Sequence, residues 1–151
     1  MHGCFSMTRR VLFHETDLAG VMHFSNYFRV MEEVEHAWWR SLGLSVHQPA
    51  GDVAVSWPRV ACRCEYAAPL RFEQEVTLWL RVTEVGEKSL SLTIDFCAGE
   101  RRLARGKMRA VCCRLEPEGF CAIEIPQEIR EQLEAARAAS MPADSAKETN
   151  G

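Results

Sequence analysis

Residues 15–27, ETDLAGVMHFSNY, join two different periodic patterns and therefore decide the fold. Before them, residues 8–15 alternate polar and apolar side chains, which predicts a short strand with one better-buried face. After them, apolar side chains recur at steps of three and four over residues 27–42, which predicts a long helix that Gly43 ends. The stretch thus connects a strand to a helix and places an acid, Asp17, at the end of the strand.

Strand-like segments follow the helix. Residues 44–57 contain small residues, a proline and a glycine, and are predicted to form a loop. Four alternating segments then span 59–66, 75–85, 89–97 and 102–115. Short turns connect the last three of them, so the strands are expected to pair as antiparallel hairpins.

The end of the chain predicts a second helix and a tail. Residues 127–139 follow a proline and keep helical spacing, whereas residues 140–151 are small and polar and are expected to be disordered. The order of elements predicts one α+β domain over residues 1–139, with an antiparallel sheet of about five strands covering the long helix.

Composition excludes several classes of protein. The 151 residues are 47% hydrophobic and 26% charged, which suits one globular domain. A net charge of -3 gives no electrostatic argument for binding to nucleic acid or an anionic membrane, although it allows a local basic patch for a phosphorylated ligand. The chain shows neither an apolar run near the ~20 residues of a membrane span nor an export signal. We expect a soluble, cytoplasmic protein.

The cysteines do not form a recognisable metal motif. There are seven, which is an odd number, and no CxxC pair is present. Cys62 and Cys64 are separated by one residue and Cys112 and Cys113 are adjacent, and neither spacing matches a zinc site. We expect reduced thiols, no metal and no cofactor.

The stretch 15–27 can be interpreted chemically. A helix N-terminus exposes unpaired backbone N–H groups, and residues 20–23 could present such groups to a carbonyl oxygen. A carboxylate facing these donors is a minimal arrangement for acyl transfer, with Asp17 as nucleophile or general base. The alternative is structural, because an aspartate before a helix is often a cap or turn residue, and a histidine such as His23 is often a structural hydrogen bonder. Spacing alone leaves both interpretations open.

A longer stretch, ETDLAGVMHFSNYFRVMEEVEHAWWRSLGLS, resembles the N-terminal signature of the hotdog-fold acyl-CoA thioesterases of the 4-hydroxybenzoyl-CoA thioesterase family. The likeness is specific over residues 9–44, and the rest of the chain agrees in element order. The resemblance implies a hotdog fold, in which a curved antiparallel sheet wraps a long central helix. It also implies hydrolysis of an acyl-CoA thioester, with an aryl or a short to medium acyl group.

The resemblance also implies residue functions. Asp17 matches the catalytic aspartate, and the segment Gly20, Val21, Met22 and His23 matches the turn whose N–H groups polarise the thioester carbonyl, with the His23 N–H as the expected donor. Asn26 and Tyr27 match positions expected to cap the helix and to pack.

The chain departs from the family pattern at one point. Many relatives have an aromatic residue followed by histidine, whereas His23 precedes Phe24 here. The function of the relatives' histidine is therefore not assigned to His23. Another branch of hotdog thioesterases uses a glutamate on the central helix, which makes Glu32, Glu33 and Glu35 alternative candidates, although such residues more often form a solvated face.

The phosphates of CoA would need cations. The alternating residues Arg105, Lys107 and Arg109 on the last strand form one available cluster, and Arg59 and Arg63 are similar. A solvated strand face is an equally good interpretation. The resemblance also implies a homodimer that assembles into a homotetramer, and Trp79, on the less apolar face of its strand, could belong to the second interface.

Three other functions stay open at this point. A hydratase on the same fold would pair a histidine with an acid in a different motif, which the chain lacks. A thioesterase could act on acyl-carrier protein instead of CoA by identical chemistry. A non-catalytic acyl-CoA-binding hotdog domain could keep the acyl tunnel and lose the acid, and Asp17 counts against it.

Overall fold

The computed structural model describes residues 4–50 and 53–141, in which two α-helices pack with antiparallel strands. Helix α1 spans Asn26–Ser41 and helix α2 spans Gln127–Ser140. The strands are β1 Phe5–Arg10, β2 His47–Ala50, β3 Val53–Ser56, β4 Arg59–Tyr66, β5 Glu75–Val85, β6 Ser89–Ala98, β7 Arg101–Val111, β8 Cys113–Glu116 and β9 Gly119–Ala122. The α+β prediction, with one long helix and a shorter C-terminal helix, is confirmed.

The larger sheet has five strands in the order β1-β5-β6-β7-β4, and all neighbouring pairs are antiparallel. Alternation along β5 and β6 places Leu78, Leu80 and Ile94 on one buried face, where Leu80 lies directly opposite Ile94. The other face carries polar side chains, as the alternation predicts. Strand β4 forms one edge of this sheet.

Helix α1 covers the inner face of the five-stranded sheet. Its buried apolar side chains are Tyr27, Val30, Met31, Val34, Trp38 and Trp39. The helix can approach β7 closely because Gly106 has no side chain, since a Cβ at Gly106 would lie 2.6 Å from Cε of Met31. This apolar stripe of α1 packs in the same hydrophobic core as the inner face of the five-stranded sheet.

A second, four-stranded sheet, β2-β3-β8-β9, was not predicted. The prediction of a loop over 44–57 is wrong where β2 and β3 form a hairpin, and the single strand predicted over 102–115 is divided into β7 and β8. Cys112 lies at the division, where its N–H donates to the Lys88 carbonyl at 2.7 Å beside the first sheet and its carbonyl accepts the Ile123 N–H at 2.9 Å beside the second. Val55 and Trp57 of this region belong to the core.

The strand predicted over 8–15 is displaced. Strand β1 ends at Arg10, and residues 13–15 form one turn of 3₁₀ helix. The chain turns there because the Glu15 carboxylate accepts the Leu12 N–H at 2.8 Å and two hydrogen bonds from Arg9. Asp17 therefore lies in a loop after this turn and not at the end of a strand.

Helix α2 packs on β5 through Ile129 and Leu133. It ends at Ser140, one residue beyond the predicted end, and the rest of the predicted tail, from residue 142, lies outside the described residues. Within the described part of the chain, no helix combines the length and apolar character needed to cross a membrane.

Candidate active site

The loop after the 3₁₀ turn is closed on itself. Thr16 and Met22 form an isolated antiparallel bridge, and the Asp17 N–H donates to the Val21 carbonyl at 2.9 Å. Gly20 reverses the chain with a φ of 75°, a conformation that favours glycine. The loop presents Asp17 near its start and leads into α1 at its end.

The Asp17 carboxylate is exposed, and only one of its two oxygens accepts a hydrogen bond. Its Oδ1 accepts the Ala19 N–H at 2.8 Å, which fixes the side chain in a local turn. Its Oδ2 has no hydrogen-bond partner among residues 4–50 and 53–141. One carboxylate oxygen is thus held in place while the other is available to a substrate or a water molecule.

Most of the N–H groups predicted to polarise a carbonyl are already occupied. The Gly20, Met22 and His23 N–H groups donate to the carbonyls of Asp17, Leu70 and Glu15 at 3.0, 2.7 and 2.8 Å. The His23 N–H, the expected donor, is thus occupied by a bond within the chain. Only Val21 of the four has an N–H with no acceptor in the described part of the chain, and Val21 does not line the cavity beside Asp17.

The next residue, Phe24, supplies the free donor. Its N–H has no acceptor among the described residues. The His23 carbonyl, in the same peptide unit, accepts the Asn26 N–H at 2.9 Å and so points into the start of α1. Because a trans peptide directs its C=O and N–H to opposite sides, the Phe24 N–H points away from the helix.

Asp17 and Phe24 line the same cavity, which has a volume of about 390 Å³. Its other lining residues are Met22, Tyr27, Tyr66, Ala67, Ala68 and Pro69. The Tyr66 hydroxyl donates to the Phe24 carbonyl at 3.2 Å, and its ring packs edge-on against Tyr27 at 4.7 Å. The cavity is thus lined by a residue with a free carboxylate oxygen, a residue with a free N–H and aromatic side chains.

The imidazole of His23 has a local structural function. Its Nδ1 lies 2.7 Å from the Ser25 Oγ, and its ring packs on Phe24 at 4.5 Å. The side chain thus contacts the turn that precedes α1 and is not a lining residue of the Asp17 cavity.

The two residues expected to cap and pack at the start of α1 have separate functions. The Asn26 side-chain amide donates to the Glu15 carbonyl at 2.9 Å, so it ties the helix to the 3₁₀ turn and does not cap its own helix. Tyr27 packs on Phe96 at 5.3 Å, and burial raises the pKa of its hydroxyl.

The three helix glutamates occupy different environments. Glu32 is exposed, and Glu33 lies 3.3 Å from the Arg9 guanidinium. Glu35 is only 1% exposed, so the expectation of a solvated face is wrong for it. It pairs with Arg59 and accepts the Trp39 Nε1–H at 3.1 Å, and burial raises the pKa of its carboxyl group. None of the three lines the cavity of Asp17.

The predicted cationic cluster is divided by an ion pair. Arg105 donates to both oxygens of the buried Asp95, at 2.6 and 2.8 Å. Lys107 and Arg109 line a separate groove of about 290 Å³ on the outer face of the sheet. Its other polar side chains are those of Arg63, Thr83, Ser91 and Thr93.

The cysteines are all free thiols. Burial raises the pKa of the Cys64 and Cys112 thiols to about 11, so neither is an activated nucleophile. Among residues 4–50 and 53–141, no three histidine, cysteine or acidic side chains are grouped as a metal site requires.

Comparison with known proteins identifies the family. The profile of the Thioesterase-like superfamily matches residues 11–146. The chain belongs to this superfamily. A 1,4-dihydroxy-2-naphthoyl-CoA hydrolase from Synechococcus sp. (strain WH7803) is 30% identical to it, over 85% of this chain and 88% of the relative.

Solved structures of thioesterases share the fold. A gentisyl-coenzyme A thioesterase superposes with a TM-score of 0.70 and 25% identity, covering 86% of this chain and 99% of that protein. A 1,4-dihydroxy-2-naphthoyl-CoA thioesterase from Synechocystis has a TM-score of 0.72 at 21% identity, covering 86% and 95%, and shows the fold alone. The predictions of a hotdog fold and of a thioester hydrolase are confirmed for this superfamily member, and the acyl-CoA thioesterase activity is supported at the level of the family.

Proposed function

We propose that the protein hydrolyses an acyl-CoA thioester in the cavity between Asp17 and Phe24. The observation that carries the proposal is that Asp17, which has a free carboxylate oxygen, and Phe24, which has a free backbone N–H, line one cavity. The thioester carbonyl oxygen accepts the Phe24 N–H, and the carbonyl carbon then faces Asp17. Phe24 replaces His23 as the donor because the His23 N–H is bound to Glu15.

The reaction needs only one acid–base or nucleophilic group. In one route Asp17 removes a proton from water, whose oxygen attacks the carbonyl carbon while the C–S bond breaks and the CoA thiolate leaves. In the other route the Asp17 carboxylate attacks first, expels the thiolate and forms an anhydride that water hydrolyses. The Phe24 N–H stabilises the oxyanion in both routes. A thiol with an ordinary pKa of about 8.5 leaves without a general acid.

The acyl group is an aromatic one in this proposal. The relatives are named for naphthoyl and gentisyl groups, which are aromatic acids. The cavity has aromatic walls in Phe24, Tyr27 and Tyr66, and flat rings pack well against such walls. Aryl-CoA substrates are therefore expected to be hydrolysed faster than aliphatic ones.

The phosphates of CoA bind on the outer face of the sheet in this proposal, at Lys107 and Arg109. Lys107 lies directly opposite Arg63 on β4, a like-charge pair that favours a bound anion, although Arg63 also lies 3.6 Å from Glu65. The next pair on the same face, Glu65 opposite Arg105, has opposite charges. Arg105 is held by Asp95 and is the least available of the three predicted cations.

Lys107→Ala and Arg109→Ala test the phosphate site with two substrates. Each variant is expected to raise KM for acyl-CoA several-fold and to leave KM for the matching acyl-pantetheine, which has no phosphate, unchanged. Arg137→Ala, an exposed arginine on α2, is the control. Equal KM values for acyl-CoA in all four proteins would contradict the phosphate site.

A homodimer formed through β4 is also part of the proposal, with a tetramer as its further assembly. Strand β4 is an edge of its sheet in the described part of the chain, and Val60 and Tyr66 on it are 59% and 48% exposed. Exposed edges with apolar side chains tend to pair with another chain. Sedimentation of wild type beside Val60→Asp is expected to show a dimer that the variant weakens, and a monomeric wild type would contradict it.

Release of free thiol from a panel of acyl-CoAs tests the activity. The panel contains aryl, short aliphatic and medium aliphatic acyl groups, with acyl-carrier protein thioesters as a separate arm. Turnover of aryl-CoA is the expected result. Binding of every acyl-CoA without turnover of any would instead indicate a non-catalytic binding domain.

A further inference from the structure

Glu15 is a buried acid with no part in the chemistry proposed above. Only 7% of its surface is exposed. Arg9 Nη2 donates to both of its carboxylate oxygens, each at 2.9 Å, and the Leu12 N–H donates to Oε1 at 2.8 Å. Charge-assisted bonds to a planar guanidinium fix both the position and the orientation of a carboxylate.

The backbone of Glu15 holds together the two ends of the loop of residues 16–25, called here the catalytic loop, which connects the 3₁₀ turn to α1. Its carbonyl oxygen accepts the His23 N–H at 2.8 Å and the Asn26 side-chain amide at 2.9 Å. Asp17 follows two residues after this carbonyl, and Phe24 follows directly after His23. The separation between the carboxylate and the free N–H is therefore set at Glu15.

Arg9 connects this point to the rest of the fold. It lies on β1, and its Nε is 3.3 Å from Glu33 of α1. The acidic contacts of Arg9 among the described residues are Glu15 and Glu33. The third nitrogen of its guanidinium, Nη1, is buried and has no hydrogen-bond partner among those residues. Because the side chain of Glu33 is 45% exposed and that of Glu15 only 9%, the bond to Glu15 is the better shielded from water.

We infer that Glu15 is a positioning residue, which holds Asp17 and the Phe24 N–H at their working separation through Arg9, His23 and Asn26. The inference rests on the proposed function. A displacement of about 1 Å between reacting groups can lower a rate about 10²-fold. Loss of the Glu15 charge is thus expected to lower kcat without removing any group that touches the substrate.

Glu15→Gln tests the inference in the full-length protein. We expect kcat to fall about 10- to 100-fold while KM for the same acyl-CoA changes less than about threefold, since the cavity walls are unchanged. Glu33→Gln is the matched control, because it removes the other acidic partner of Arg9 and leaves the catalytic loop untouched; its kcat is expected to stay within about threefold of wild type. A Glu15→Gln variant with wild-type kcat would overturn the inference.

A double variant separates positioning from the cost of a buried charge. Glu15→Gln leaves Arg9 partly unpaired, so Arg9→Met is combined with it to remove both charges. The double variant is expected to fold and to keep the low kcat, because the ion pair between Arg9 and Glu15 is still absent. Recovery of wild-type kcat would show that only the unpaired arginine had mattered, and would overturn the inference.

Amide hydrogen exchange distinguishes failure of the inference from failure of the proposed function. The His23 amide should exchange slowly in wild type and at least about tenfold faster in Glu15→Gln, whether or not any acyl-CoA is hydrolysed. A wild type that hydrolyses no acyl-CoA would contradict the proposed function alone. Unchanged exchange at His23 in Glu15→Gln would contradict the positioning inference alone.

Discussion

Replacement of Phe24 by proline removes one specific group, the free backbone N–H. Proline has no N–H, and Phe24 precedes the Ser25 N-cap, so the substitution removes no hydrogen bond of helix α1. Phe24→Ala is the matched control, because it removes the same ring and keeps the N–H. The ring is 66% exposed, so its loss should cost about 1 kcal/mol or less in both variants.

The magnitude follows from the loss of one donor. Phe24 lines the cavity of Asp17, and its N–H has no acceptor among the described residues. Loss of one oxyanion donor typically lowers kcat about 10²- to 10³-fold, or about 2.7–4 kcal/mol. Phe24→Pro should therefore be about 10²-fold or more slower than Phe24→Ala in thiol release from an aryl-CoA.

Folding and binding are measured alongside the rate. Both variants should unfold cooperatively and bind a non-hydrolysable thioether analogue of the aryl-CoA with similar affinity, because the analogue develops no oxyanion. Equal kcat values for the folded Pro and Ala variants would refute the assignment of the Phe24 N–H as the donor.

Two further predictions concern the core. Gly106→Ala should lower the free energy of unfolding by about 1–2 kcal/mol in denaturant titrations, because its methyl group would overlap Met31, and Met31→Leu should restore part of the loss. Glu35 has a raised carboxyl pKa in the folded protein, so its contribution to stability is present at low pH and is lost as pH rises through the folded pKa. The stability of wild type relative to Glu35→Gln should therefore fall as pH rises above about 4.5, and a difference that is independent of pH would contradict the burial of a titrating Glu35.

The elements with clear periodicity were predictable. Helix α1 carries seven buried side chains on one stripe, and β5 and β6 alternate over ten or more residues, so each pattern has several repeats. Strands β2, β3, β8 and β9 have four residues each, which is too short for alternation to be distinguished from a loop. The second sheet was missed for that reason.

The site was predictable only in part. The motif around Asp17 indicated the acid and the helix start, but the choice of donor depends on contacts distant in sequence. The Met22 N–H is occupied by Leu70, and no local pattern reports that pairing. Glu35 was misassigned for the same reason, since its partner Arg59 is 24 residues away. The one local signal near the donor was the order of His23 and Phe24, which is the reverse of the aromatic–histidine order of many relatives.

Thiol release by wild type and Asp17→Asn, measured on the same aryl-CoA, tests the central claim most directly. The substitution removes the charge and nearly keeps the shape, and Asp17 is exposed, so the fold should survive. Glu32→Gln, an exposed carboxylate that does not line the cavity, is the control. A loss of about 10²-fold or more in Asp17→Asn alone is the predicted result. A folded Asp17→Asn variant that keeps the wild-type rate would contradict the assignment of Asp17 as the general base or nucleophile.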